Sequence, residues 1–83
     1  MSRRRGPELT THQRQQLQGA HARLWAVRYD PSSVTRDVMR RQLVRMMGEL
    51  WDGGVSFVVM AEALGISRQA VHKLIATEER LRG

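Results

Sequence analysis

Hydrophobic residues recur along this chain at the three- and four-residue intervals of α-helices, with polar or glycine-containing segments between the repeats. The pattern predicts an all-α, four-helix domain with two longer helices (about 10–29 and 32–51) followed by a helix-turn-helix (56–64 and 68–79). Because 83 residues cannot close two hydrophobic cores, residues 9–83 are expected to form a single domain.

Two apolar stripes lie on different sides of the first predicted helix, whose start Thr10 or Thr11 would cap. The stripe expected to face the core consists of Leu9, Leu17, Ala20, Leu24 and Val27. The second stripe consists of Ala22, Trp25, Ala26 and Tyr29. A helix that is apolar on two sides must bury both, so the second stripe is either a homodimer interface or is covered by the later helices.

The second predicted helix has a clear start and stop. Pro31 suits its first turn, with Asp30 as the cap and Ser33 as an alternative. Its inner stripe consists of Met39, Leu43, Met46, Met47 and Leu50. It ends at residues 52–54, where Asp-Gly-Gly tolerates left-handed backbone angles.

Residues 55–76 carry the most specific pattern in the chain, two short helices joined by a tight turn. Ser56 and Ser67 are good N-caps for the two helices, and Gly65 is suited to end the first. The inward face of the second short helix is expected to be Ala70, Val71, Leu74 and Ile75.

This segment resembles the helix-turn-helix of small bacterial and phage DNA-binding regulators, especially actinobacterial ones, and is similar to sigma-factor and resolvase-type modules. The residues that carry the resemblance are Ala61, Leu64, Gly65, Ile66, Ser67, Val71 and Leu74. The resemblance implies that the helix after Ser67 lies in the major groove of double-stranded DNA. The residues it assigns to base edges are Arg68, Gln69, His72 and Lys73, with the DNA backbone as the alternative for His72 and a phosphate as the alternative for Lys73. Ser56 and Ser67 would contact phosphate, and Glu78 and Glu79 would repel it and end the surface.

The formal net charge of +6 is unevenly distributed, with thirteen Arg and one Lys in the chain. Residues 1–30 carry six Arg against Glu8 and Asp30, a net +4. Residues 1–8 are predicted to be a flexible basic arm. Its residues Arg3, Arg4 and Arg5 would bind phosphate, either in a neighbouring minor groove or as a nonspecific basic tail.

Several classes of function have no support in the sequence. There is no cysteine, no His-Glu-x-x-His spacing and no glycine-rich phosphate loop, so we expect neither an enzyme nor a metal or cofactor site. The longest apolar run, residues 57–61, is too short to span a membrane, and the expected location is the cytoplasm, at the nucleoid.

The sequence therefore favours a sequence-specific DNA-binding protein, a repressor-like transcriptional regulator acting as a homodimer. An accessory factor for recombination, plasmid transfer or partition would use the same module. A third possibility is a protein-interaction module of the same fold that contacts a larger regulator or RNA polymerase. Its anchors would be Trp25, Tyr29 and Trp51, unless the two tryptophans pack in the core.

Overall fold

Four α-helices make up the fold in the computed structural model, which describes residues 7–82. The helices are α1 (Thr11–Ala26), α2 (Ser33–Asp52), α3 (Phe57–Leu64) and α4 (Arg68–Arg82). The predicted all-α class and the order of the four helices are confirmed. The last helix continues three residues beyond its predicted end at residue 79.

The first helix begins where the sequence predicts and ends earlier. Thr10 and Gln13 form a capping box, in which each side chain accepts a hydrogen bond from the other residue's backbone N–H at 3.0 Å. The helix stops at Ala26 because Val27 leaves helical geometry and its N–H turns back to the carbonyl of Leu24. The prediction that the helix reaches Tyr29 was therefore wrong.

The cap of α2 also differs from the prediction. The Oγ of Ser32, rather than a side chain of Asp30 or Ser33, accepts from the Thr35 N–H at 3.4 Å. Asp30 instead accepts from the Ser32 N–H at 2.7 Å, and Pro31 lies before the helix. The Asp30 hydrogen bond thus stabilises the turn that places Ser32 at the capping position.

The turn between α3 and α4 has the geometry that its sequence predicts. Gly65 is in the left-handed region at φ 68° and ψ 29°, where a glycine is favoured because it has no Cβ. The Ile66 N–H donates to the Ala61 carbonyl at 3.0 Å, and the Ser67 Oγ accepts from the Ala70 N–H at 3.0 Å. One helix therefore ends and the next begins within three residues.

The core lies where α1, α2 and α3 cross, and α4 closes it from one side. Its largest fully buried side chains are Leu17, Leu43, Met47, Met60 and Val71. Within the described chain α4 packs against α2 and α3, whereas the backbones of α1 and α4 do not come together. A groove remains between these two helices.

A buried glutamate near the end of α4 pairs with two arginines of α2. Glu78 is only 2% exposed, and its Oε1 accepts a hydrogen bond from Arg41 Nε at 3.1 Å. Arg40 Nε lies 3.7 Å from the other carboxylate oxygen and also pairs with Asp37. The Glu78 carboxylate is therefore directed into the domain and does not lie on the exposed surface of α4, where the sequence placed it.

Candidate nucleic-acid interface

The second helix of the helix-turn-helix docks through the face predicted for it. Val71 is completely buried, and Ala70, Leu74 and Ile75 are partly buried against the rest of the domain. The opposite face presents the four predicted base-contacting side chains, all of them exposed: Arg68, Gln69, His72 and Lys73. The packing of α4 therefore leaves a continuous polar surface on its N-terminal half.

Arg68 and Gln69 occupy the first turn of α4, directly after the Ser67 cap. Neither side chain has a hydrogen-bond or ion-pair partner among residues 7–82. The Ser67 hydroxyl accepts from the backbone and keeps its own proton to donate. The helix start also carries partial positive charge from its backbone dipoles. This end of α4 can accordingly donate to anionic oxygens and to acceptors on base edges.

His72 differs from its neighbours because its ring is held by aromatic contacts. The ring lies edge-on to Phe57, with centroids 5.1 Å apart and planes at 75°. Phe57 in turn stacks on Trp51 with centroids 4.4 Å apart. We call these three residues the aromatic cluster. It joins the ends of α2 and α3 to α4, and no short-range sequence pattern could have revealed it.

Lys73 lies on the edge of the exposed face that borders the groove between α1 and α4. Its backbone carbonyl accepts from the Thr77 hydroxyl at 2.8 Å, while its side chain has no carboxylate partner within the described part of the chain. The ammonium is therefore available to an external anion.

The predicted phosphate contacts are only partly placed by the structure. Ser56 is half-buried at the start of α3, where its Oγ accepts from the Val59 N–H at 3.3 Å. Arg3, Arg4 and Arg5 lie outside the described residues, as does most of the predicted basic arm.

The second apolar stripe of α1 remains uncovered. All four of its residues are exposed, with Trp25 at 60% and Tyr29 at 85%. The alternative that later helices cover this stripe was wrong, since α4 does not pack on α1. Trp51 is also 52% exposed, so neither tryptophan is a core residue.

Arg28 is a surface residue whose position the sequence did not predict. Its guanidinium carbon lies 4.4 Å from the Trp25 ring centroid and 4.7 Å from that of Tyr29. Its Nη1 also donates to the Trp25 carbonyl at 2.6 Å. Contact with two rings and a backbone acceptor holds this cation at the mouth of the groove.

No family model, curated protein or solved structure matches the chain. The α-helical geometry and the positions of individual side chains are therefore the basis for any functional assignment. Among residues 7–82, no helix is both long enough and apolar enough to cross a membrane.

Proposed function

We propose that this protein binds double-stranded DNA and that α4 enters the major groove as its recognition helix. The observation that carries the proposal is the combination of exposure and missing partners at the start of α4. Arg68, Gln69 and Lys73 are exposed on one face, with no intramolecular ion pair among the described residues. By contrast, Arg40 and Arg41 of α2 are both paired with Glu78 near the end of α4.

The chemistry of these side chains matches the groove edges of base pairs. An arginine can donate two hydrogen bonds to O6 and N7 of guanine, and a glutamine can pair with N6 and N7 of adenine. Lys73 lies one helical turn beyond Gln69, at the distance at which a side chain of the same face meets the next base or a phosphate. Arg68 and Gln69 are therefore assigned to base contacts and Lys73 to phosphate or guanine.

His72 is assigned a smaller part in base recognition than the sequence pattern implies. Its ring packs against Phe57, so turning it toward a base would break that contact. In the proposal it supports the orientation of α4 and lies beside the DNA backbone. Ser56 and Ser67 donate their hydroxyl protons to phosphates that flank the helix.

Regulation of transcription is the biological role that this activity serves in the proposal. A homodimer would double the contacts by placing two recognition helices on neighbouring half-sites. The exposed stripe of Ala22, Trp25, Ala26 and Tyr29 is the surface proposed for that contact. Sedimentation equilibrium at micromolar concentration tests it directly, because a monomer in both wild type and Trp25→Ala excludes the dimer.

The test of DNA binding starts with selection of duplexes from a random library by the full chain. Affinity for the selected duplex is then measured by fluorescence anisotropy between about 50 and 200 mM salt. Arg68→Ala should weaken binding by about 1–3 kcal/mol and relax sequence preference at one position. If Lys73 binds phosphate, Lys73→Ala should weaken binding to all DNA sequences alike and lower by about 1 the slope of the logarithm of affinity against the logarithm of salt concentration.

Arg80→Ala is the matched control, since Arg80 is an exposed arginine on the same helix outside the proposed surface. It removes the same charge from α4 and should change affinity much less than Arg68→Ala does. Absence of duplex binding at low salt, or equal losses in Arg68→Ala and Arg80→Ala, would exclude the proposed recognition helix.

A further inference from the structure

A groove of about 390 Å³ separates the C-terminal half of α1 from the N-terminal half of α4, the two helices whose backbones do not meet in the described chain. Its floor is apolar and comes from both helices and from the turn before α4. The floor residues are Leu24, Trp25, Ile66, Ala70 and Leu74. A groove between helices with such a floor is suited to an apolar side of another helix.

The rim of the groove is cationic. Arg28 lies in the turn after α1, Lys73 lies on α4, and His21 stacks on Trp25 with centroids 6.4 Å apart. Among the described residues that line the groove, none carries a carboxylate. Arg40 also lines it but is already paired with Asp37 and Glu78. Among the described residues, Arg28 and Lys73 therefore have no carboxylate partner at this mouth.

We propose that the groove binds an amphipathic helical segment of another protein whose apolar residues are flanked by aspartate or glutamate. The apolar side would cover Trp25 and Leu24, and the acidic flanks would pair with Arg28 and Lys73. Arg28 is already held by two aromatic rings and the Trp25 carbonyl, so little of its conformational freedom is lost on binding. Charge complementarity thus selects the chemistry of the partner.

Two other occupants fit the groove less well. A second copy at the proposed dimer stripe would share only Trp25 with the groove, so the partner helix would compete with the dimer for Trp25. Two-fold symmetry would also bring Arg28 and Lys73 toward a patch of their own charge. A DNA backbone would satisfy the two cations but has no apolar groups to cover Leu24, Ile66 and Leu74. The mixture of an apolar floor with unpaired cations favours the acidic amphipathic helix over both.

The two proposed binding surfaces share Lys73. A partner helix that pairs with this ammonium would occupy the edge of the surface proposed for DNA, so the two ligands would exclude each other. This consequence alone rests on the proposed DNA-binding function. Binding of the partner itself is measured without DNA, and the two proposals can therefore fail separately.

The test uses a set of synthetic helical peptides that have apolar residues at positions i, i+3, i+4 and i+7 and glutamate elsewhere. The apolar residues are leucine, phenylalanine or a non-fluorescent analogue of tryptophan, so that the peptides do not contribute to the emission. The full chain carries Trp51→Phe, which leaves Trp25 as the fluorescent reporter because the sequence has two tryptophans. Control peptides replace glutamate by lysine, or the apolar residues by serine. Binding of the acidic amphipathic peptides should shift Trp25 emission to shorter wavelength, and neither control should do so.

Substitutions in the protein then locate the site. Arg28→Glu and Lys73→Glu should each lower the affinity for the acidic peptide by about tenfold and raise the affinity for the lysine peptide. Trp25→Ala, followed by peptide anisotropy, should weaken binding by about thirtyfold, as for a central aromatic anchor. Arg23→Glu makes the same charge change on an exposed position of α1 outside the groove and should leave affinity within about twofold.

Three results would overturn the proposal. The first is that no acidic peptide of the set binds at about 1 mM while circular dichroism shows the protein folded. The second is a dimer that Trp25→Ala dissociates and from which no acidic peptide at about 1 mM displaces a subunit, which would assign Trp25 to the second copy alone. The third is a Trp25 emission shift caused by duplex DNA and unaffected by peptide, which would assign the rim to phosphate. Peptide binding without loss of DNA affinity would refute only the mutual exclusion.

Discussion

The ring of His72 meets the ring of Phe57 edge-on, with centroids 5.1 Å apart, and so ties the outward face of α4 to the first residue of α3. His72 is one of four exposed side chains on this face, with Arg68, Gln69 and Lys73. The other three have no hydrogen-bonded or ion-paired side-chain partner among the described residues, whereas His72 packs against α3.

This division predicts different effects of alanine at neighbouring positions. His72→Ala should lower the free energy of unfolding by about 0.5–1.5 kcal/mol, because the aromatic pair is lost, and should weaken DNA binding less than Arg68→Ala does. Urea denaturation followed by circular dichroism gives the stability change. His12→Ala, at an exposed position of α1, is the control and should be near neutral. Equal stability of the two variants would show that the contact with Phe57 contributes nothing.

Glu78 gives a second prediction, since its carboxylate is buried between α4 and α2. Glu78→Ala should destabilise the fold by about 1–3 kcal/mol, because it removes the partner of Arg41 and leaves the partly buried Arg40 with Asp37 alone. Glu79→Ala removes the same charge from an exposed position and should change stability by less than about 0.5 kcal/mol. The comparison is made by denaturant midpoints, and similar midpoints for the two variants would contradict the importance of the buried pair.

The turn before α4 can be tested through Gly65, whose φ of 68° is in the left-handed region. A Cβ placed there meets no atom within 4 Å, so any loss of stability comes from backbone strain rather than from a clash. Gly65→Ala should cost about 1 kcal/mol and Gly65→Asn less, because asparagine tolerates this conformation better. Thermal unfolding of wild type and the two variants measures their order of stability. An alanine variant as stable as wild type would contradict the prediction.

Local sequence signals were sufficient for most of the fold. The caps at Thr10, Ser56 and Ser67 and the turn at Gly65 depend on residues within four positions of one another, and all four are found in the structure. The buried face of α4 followed from its helical period. These features depend on local backbone chemistry, which a single sequence contains.

Features that depend on distant residues could not be predicted in this way. Glu78 and Arg41 are 37 positions apart, and only the packing of α4 on α2 brings them together. The same holds for the contacts of Trp51 and His72 with Phe57. The second stripe of α1 was identified correctly as apolar, but its exposure depends on the separation of α1 from α4, which periodicity does not encode.

The central claim is that α4 lies in the major groove with Arg68 at a base edge. The most direct measurement replaces each guanine of the selected duplex, one at a time, by 7-deazaguanine, which lacks the N7 acceptor in the major groove. One such replacement should weaken DNA binding by the wild-type protein by about 1–3 kcal/mol. The same replacement should not further weaken DNA binding by the Arg68→Ala variant. If every replacement affects wild type and Arg68→Ala equally, the proposed contact between Arg68 and guanine is wrong.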